Sequence, residues 1–152
     1  MTVREQTSGT NYGSATILEI GGAAGKRARA FLRVAVTGIG TQVVTAAHLH
    51  LQVASLLAAA SPSGGRIHAV ADCSWSEATL TWGTQPVIDG GVLSTVGNVT
   101  RSQAVDFDVT GAITRGDGVY CFAIESPYNN PVTYNSRESA GQRPQLSVTV
   151  AP

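Results

Sequence analysis

The sequence predicts an all-β fold, an antiparallel sandwich of two sheets. Three observations carry that reading. Strand-like runs are short and are separated by clusters of Gly, Pro, Asn and Ser. Ala47-His-Leu-His-Leu-Gln-Val53 alternates strictly, with Ala47, Leu49, Leu51 and Val53 on one face and His48, His50 and Gln52 on the other. Both tryptophans fall in Cys73-Ser-Trp-Ser-Glu-Ala-Thr-Leu-Thr-Trp82, and two such large side chains seven residues apart anchor a core.

Ala15 to Ile20 reads as a strand closed by Gly21-Gly22, and Ala28 to Val36 as a longer one closed by Gly38 and Gly40. The alanine-rich Leu56 to Ala60 has helical composition, but Ser61-Pro-Ser-Gly-Gly65 ends it. Ile67 to Ala71 is the next strand. Within the tryptophan stretch, Ser74 and Glu77 have the spacing of a capping box, which predicts one helical turn. Gly83-Thr-Gln-Pro86 then signals a loop. Val92 to Val99 and Val105 to Val109 are strands, the second ending at a Thr110 cap. Val119 to Glu125 is nearly continuous in apolar residues, as in a strand covered on both sides. Thr133 to Asn135 and Leu146 to Val150 complete the set. The expected buried residues are Leu49, Leu51, Ile67, Leu80, Phe107, Phe122, Ile124, Leu146 and Val148. Residues 1–10 read as an N-terminal flank and 11–152 as one domain.

Composition narrows the function classes. Apolar residues make up 43% of the 152 and charged residues 13%, too apolar for disorder. Ten basic residues balance ten acidic ones, so the basic excess of a general nucleic-acid binder is missing. No run approaches 18 apolar residues, so no membrane-spanning helix is expected. Met1-Thr-Val-Arg-Glu has no apolar core of the signal-peptide kind, and the chain reads as a domain cut from a longer secreted one.

The landmarks in order are Asn11-Tyr-Gly13, Phe31-Leu-Arg33, Ala47-x-Leu-x-Leu51, Trp75-Ser-Glu-x-Thr-Leu-Thr-Trp82 with Pro86, Phe107-Asp-Val-Thr110, Tyr120-x-Phe-x-Ile124, Tyr134-x-Ser-Arg-Glu138 and Arg143-Pro-x-Leu146. This order resembles the DNRLRE, or disaggregatase-related, domain family, which overlaps the family 96 carbohydrate-binding modules. The likeness runs from Asn11 to Val150. It implies a β jelly-roll appended to secreted bacterial and archaeal proteins, outside the cell or at its surface. It also implies a noncatalytic module, and some members are similar to alginate binders that use basic residues and a tyrosine on a sheet face. The sequence departs from the family at Val34, usually aromatic, and in carrying two cysteines.

Strand alternation puts Arg27, Arg29, Phe31 and Arg33 on one side of their strand, beside Lys26. Guanidiniums at ~7 Å steps form a ladder suited to repeated carboxylates on an extended chain. Tyr134 and Arg137 join if their strand lies near. The expected ligand site is therefore Lys26, Arg27, Arg29, Phe31, Arg33, Tyr134 and Arg137, and the expected partner an acidic polysaccharide such as alginate. The rival reading is a structural or adhesive module of a surface protein or filament, in which Arg33 pairs with an acid such as Glu138 and only fastens the sheet. Neighbouring domains of a longer parent chain are further expected partners.

Other constellations point elsewhere with less force. His48, His50 and His68 would form a metal site only if they converged. Asp106 and Asp108 have a spacing that glycoside hydrolysis can use, but Asp108 is better read as bonding nearby amides. No nucleophile elbow, zinc-protease motif or phosphate loop is present, so no enzyme activity and no cofactor are expected. Asn98-Val-Thr100 is a chance-level glycosylation sequon. Cys73 and Cys121 would pair in a secreted domain, closing a loop that contributes roughly 4 kcal/mol. The alternative is that Cys121 is a free thiol, buried as a small hydrophobe.

Overall fold

The computed structural model describes residues 1–152. Ten strands form it: β1 (Thr2–Arg4), β2 (Ile17–Ile20), β3 (Ala28–Val36), β4 (Val43–Gln52), β5 (Gly65–Val70), β6 (Val92–Val96), β7 (Ala104–Asp108), β8 (Gly118–Glu125), β9 (Val132–Asn135) and β10 (Gln145–Ala151). The only helical pieces are single 3-10 turns at Glu5–Thr7, Leu57–Ala59, Trp82–Thr84 and Thr110–Ala112. One layer is a sheet in the order β1-β3-β8-β5-β6. The other joins β10-β4-β7 to the pair β2-β9 through a bridge between Val53 and Tyr134. Every strand pairing is antiparallel.

The strict alternation of β4 does what its period requires. Ala47, Leu49, Leu51 and Val53 are buried and meet Leu32, Ile67, Phe122 and Ile124 of the opposite sheet in one core. Phe107 and Tyr134 close it edge to face, with ring centroids 6.4 Å apart. Leu146 and Val148 are only partly buried, because β10 is the edge of its sheet.

A second core lies on the far side of the five-stranded sheet. Segment 71–91 crosses that face and buries Trp75 and Leu80 against Val3, Phe31, Cys121 and Ala123. The apolar run of β8 is thereby explained: Tyr120, Phe122 and Ile124 enter the main core, while Cys121 and Ala123 enter the second. A disulfide joins Cys73 to Cys121, Cα to Cα 5.7 Å, and fixes the crossing segment to β8. The turn in this segment is closed by Leu80 N–H donating to Ser76 O. Ser74 does not cap it but bonds Asp72, and the reciprocal capping box belongs to Thr81 and Thr84.

The first ten residues are not a flank. Thr2, Val3 and Arg4 pair with Ala30, Arg29 and Ala28, and Phe31 N–H donates to Met1 O. Val3 is fully buried in the second core. Without this strand β3 would be an open sheet edge with an uncovered phenylalanine.

Candidate ligand-binding site

Arg29, Phe31 and Arg33 of β3, with Arg27 just before it, lie on one side in the expected alternation, but the crossing segment meets them there. Phe31 is 0% exposed and packs edge-on against Trp75, with centroids 6.0 Å apart. It offers no surface to a ligand, which corrects its place in the expected site. Tyr134 is corrected in the same way. It is 0% exposed, and its hydroxyl donates to Gly64 O at 2.7 Å. Burial pushes its phenol well above the ordinary tyrosine value. Gly64 is required there, because an added Cβ would stand 2.7 Å from that hydroxyl.

The arginines divide into fasteners and open groups. Arg33 donates from Nη2 to the carbonyls of Cys73 and Trp75, and its guanidinium lies 4.6 Å over the Trp75 ring. It fastens the crossing segment, as the rival reading expects, though through carbonyls rather than Glu138. Arg137 is 72% exposed and pairs with Glu77 of that segment and with Glu138. Arg33 and Arg137 also line a shallow groove of about 210 Å³ with Glu77 between them. Arg27 holds Glu5 with two bonds, Nε to Oε2 at 2.8 Å and Nη2 to Oε1 at 2.6 Å. Those bonds hold the Glu5 carboxyl down to about 2.

Arg29 differs from all three. Its Nη1 donates to Gln85 Oε1 at 3.0 Å, its guanidinium lies 4.7 Å over the Trp82 ring, and no carboxylate pairs with it. Burial, and then the charge of Arg27, push it below the ordinary arginine value. The charge of Glu125 also reaches Arg29, but its carboxylate is already committed. Arg66 grips it with two bonds at 2.7 and 2.9 Å, and His68 Nε2 stands 3.0 Å away. Burial opposes ionisation of Glu125, yet the Arg66 and His68 bonds hold its carboxyl below the usual range. Arg27 also lies over Trp82, at 5.4 Å, and exposed Lys26 precedes it on the turn from β2. The structure thus gathers Arg27 and Arg29 over a half-buried Trp82, with Gln85 bonded to Arg29 and Lys26 exposed one residue before Arg27.

Gln85 is the member that sequence reasoning missed, and Trp82 is one that it placed in the core rather than beside a ligand. Of the two tryptophans expected to anchor the core, Trp75 is buried, whereas Trp82 is half-buried and packs against the margin of the second core. The sole signal was Trp82's position against the loop sequence Gly83-Thr-Gln-Pro86, which places it at the rim of the packed segment.

The remaining clusters are polar and separate. His48 and His50 lie on β4, and His68 lies on β5 of the other layer, so the three imidazoles do not converge. Asp108 accepts from the Thr110 N–H at 2.9 Å and from its hydroxyl at 2.6 Å, a turn-forming role. Asp106 stands between His48 and His50.

The site is thus a pair of guanidiniums over an indole on the outer surface of an antiparallel β-sandwich. The family model described as carbohydrate-binding module family 96 matches residues 1–150, and the chain belongs to that family. It is a noncatalytic carbohydrate-binding module. No curated protein sequence matches it.

Proposed function

We propose that this module binds an acidic polysaccharide such as alginate, with Lys26, Arg27 and Arg29 meeting its carboxylates beside Trp82. The observation that carries the reading is Arg29. It is a half-buried guanidinium beside a second cation, with a ring and an amide in contact and no acid bonded to it. Its Nε and Nη2 make no hydrogen bond within the chain. A carboxylate placed there gains a charge-assisted, two-point contact that water gives only weakly. Trp82 backs the guanidiniums and keeps the fork oriented. The resemblance to secreted prokaryotic modules of jelly-roll type supports an extracellular or surface location, where the module would hold its parent protein on a glycan.

The structural or adhesive reading keeps one specific support: Arg27, Arg33 and Arg137 all bond within the chain. Affinity electrophoresis in alginate separates the two. Retardation that weakens as salt rises, and falls about tenfold in Arg29→Ala at an unchanged melting temperature, is the expected result. Arg29→Ala that binds as well as the parent chain moves the site. Absence of retardation at low salt leaves the structural reading.

A further inference from the structure

We propose that the outer face of the β10-β4-β7 sheet is a second glycan-binding face, and that it takes an uncharged polysaccharide. The inference is independent of the acidic-glycan reading and shares with it only the carbohydrate-binding class.

The strand register builds this face in rows. Gln145 of β10 stands opposite His50 of β4, and His50 opposite Asp106 of β7. In the next row Ser147, His48 and Asp108 stand side by side. Each outward position here is a hydroxyl, amide, imidazole or carboxylate, and together they match the donors and acceptors of sugar hydroxyls. The patch is three strands wide, roughly 10 Å, and its polar positions from His48 to Gln52 extend along β4 for roughly 14 Å. That accommodates several sugar rings laid along the strands.

Order within the face is already set. His48 Nδ1 stands 3.1 Å from Asp106 Oδ2, and His50 Nδ1 stands 3.0 Å from Asp106 Oδ1. One carboxylate thus aligns two imidazoles, whose planes lie within 23° of each other at 6.4 Å. His50 Nε2 bonds the Ser147 hydroxyl at 2.8 Å. A ligand meeting side chains already held in place gives up less ordering entropy on binding. Several polar atoms are left over. His48 Nε2, the Gln145 amide and Asp108 Oδ2 make no hydrogen bond within the chain. At one end the face dips into a groove of about 220 Å³ between Gln52, Gln142 and Arg143.

Charge sets the class of ligand. Two carboxylates, Asp106 and Asp108, line one side of the face on β7, and the one arginine lies at its margin, donating to Ser139 O. A polyuronate would meet repulsion here, whereas a neutral glycan meets acceptors that strengthen its hydroxyl hydrogen bonds. Beside Trp82 the five-stranded sheet instead offers Arg29 with no paired carboxylate, so the two layers would read different glycans.

The test uses three neutral probes, xylan, galactomannan and hydroxyethylcellulose, in native affinity gels beside alginate. At least one neutral probe is expected to retard the chain, with little dependence on salt. His50→Ala with Asp106→Ala is expected to weaken that retardation about tenfold or more while leaving alginate retardation and the circular dichroism spectrum unchanged. If that double variant misfolds, Gln145→Ala with Ser147→Ala replaces it, since both side chains are exposed. The proposal is overturned if no neutral probe retards the chain. It is equally overturned if the face variants bind neutral probes undiminished, or if Arg29→Ala removes that binding instead. None of these outcomes touches the alginate result, which is read from its own gel.

Discussion

The two outer surfaces of the sandwich are built from the same kind of strand and meet opposite fates. On the five-stranded sheet, segment 71–91 crosses the surface and makes a second core around Phe31, Trp75 and Leu80. On the three-stranded sheet nothing crosses, and the surface stays polar from Gln145 to Asp108. The sequence of the central strand records each fate. β4 alternates apolar and polar because only one of its faces is covered. β8 is apolar and buried from Tyr120 to Ile124 because both are. The covered surface also explains where the arginines went. A guanidinium on a surface that a loop must cross finds carbonyls and indole rings before it finds solvent, as Arg33 does. Only at the margin, at Arg29, does one remain with neither an acid nor a backbone carbonyl as partner.

The largest way to break the difference is to detach the cover. The Cys73–Cys121 bond closes a loop of separation 48, and removing it in Cys73→Ser with Cys121→Ser is expected to cost roughly 4 kcal/mol. Urea denaturation of the oxidised parent and the double variant measures this. Intact mass after alkylation without reduction is expected to show no modified thiol in the parent chain; two modified thiols would remove the bond. The main core does not include either cysteine, so the far-ultraviolet spectrum should keep its β character at low temperature.

A smaller effect comes from Glu125 at the edge of the cover. Its carboxyl is held down by Arg66 and His68, so the folded protein binds fewer protons there than the unfolded chain. The contribution is whole above the ordinary carboxylate range and is lost as the pH falls through the lowered folded value. Arg66 and Glu125 are partly solvated, which limits the pair to about 1 kcal/mol. Glu125→Gln should therefore flatten the acid limb of a stability–pH curve and lower the neutral plateau by a similar amount. An unchanged acid limb would place the acid sensitivity on other carboxylates.

Period and composition made the sandwich legible. The alternation of Ala47 to Val53 and the apolar run at Val119 to Glu125 each report which faces are covered, because side chains on a strand have only two directions. The covering itself was not legible. Nothing local says that a segment 40 residues beyond Arg33 will lie across it, so an alternating arginine ladder looked free. The same gap put Phe31 and Tyr134 in the site. Aromatic residues on strands stack on sugars or fill cores equally well, and the choice rests on long-range packing. The first strand escaped for another reason: Thr2–Arg4 is three residues long, too short for any period, and acquires its strand geometry from pairing with β3. What did carry through was chemistry that acts within two residues, as in Asp108 bonding Thr110.

The smallest predicted effect tests whether the bare surface is bare. Ala104 on β7 and Ala123 on β8 both point away from the main core, and both sit where a small side chain tells little. Ala123 is fully buried beneath the crossing segment, whereas Ala104 is exposed. A charge placed at Ala104 loses no hydration and meets no packed neighbour. Ala104→Lys should therefore change stability by no more than about 0.5 kcal/mol in either direction. The added ammonium also lies on the edge strand, where lysine disfavours pairing with a second sheet. A loss of several kcal/mol, measured in the same urea series, would mean that something covers this face after all. The polar rows of β10, β4 and β7 would then be an interior surface, and a glycan would have no access to them.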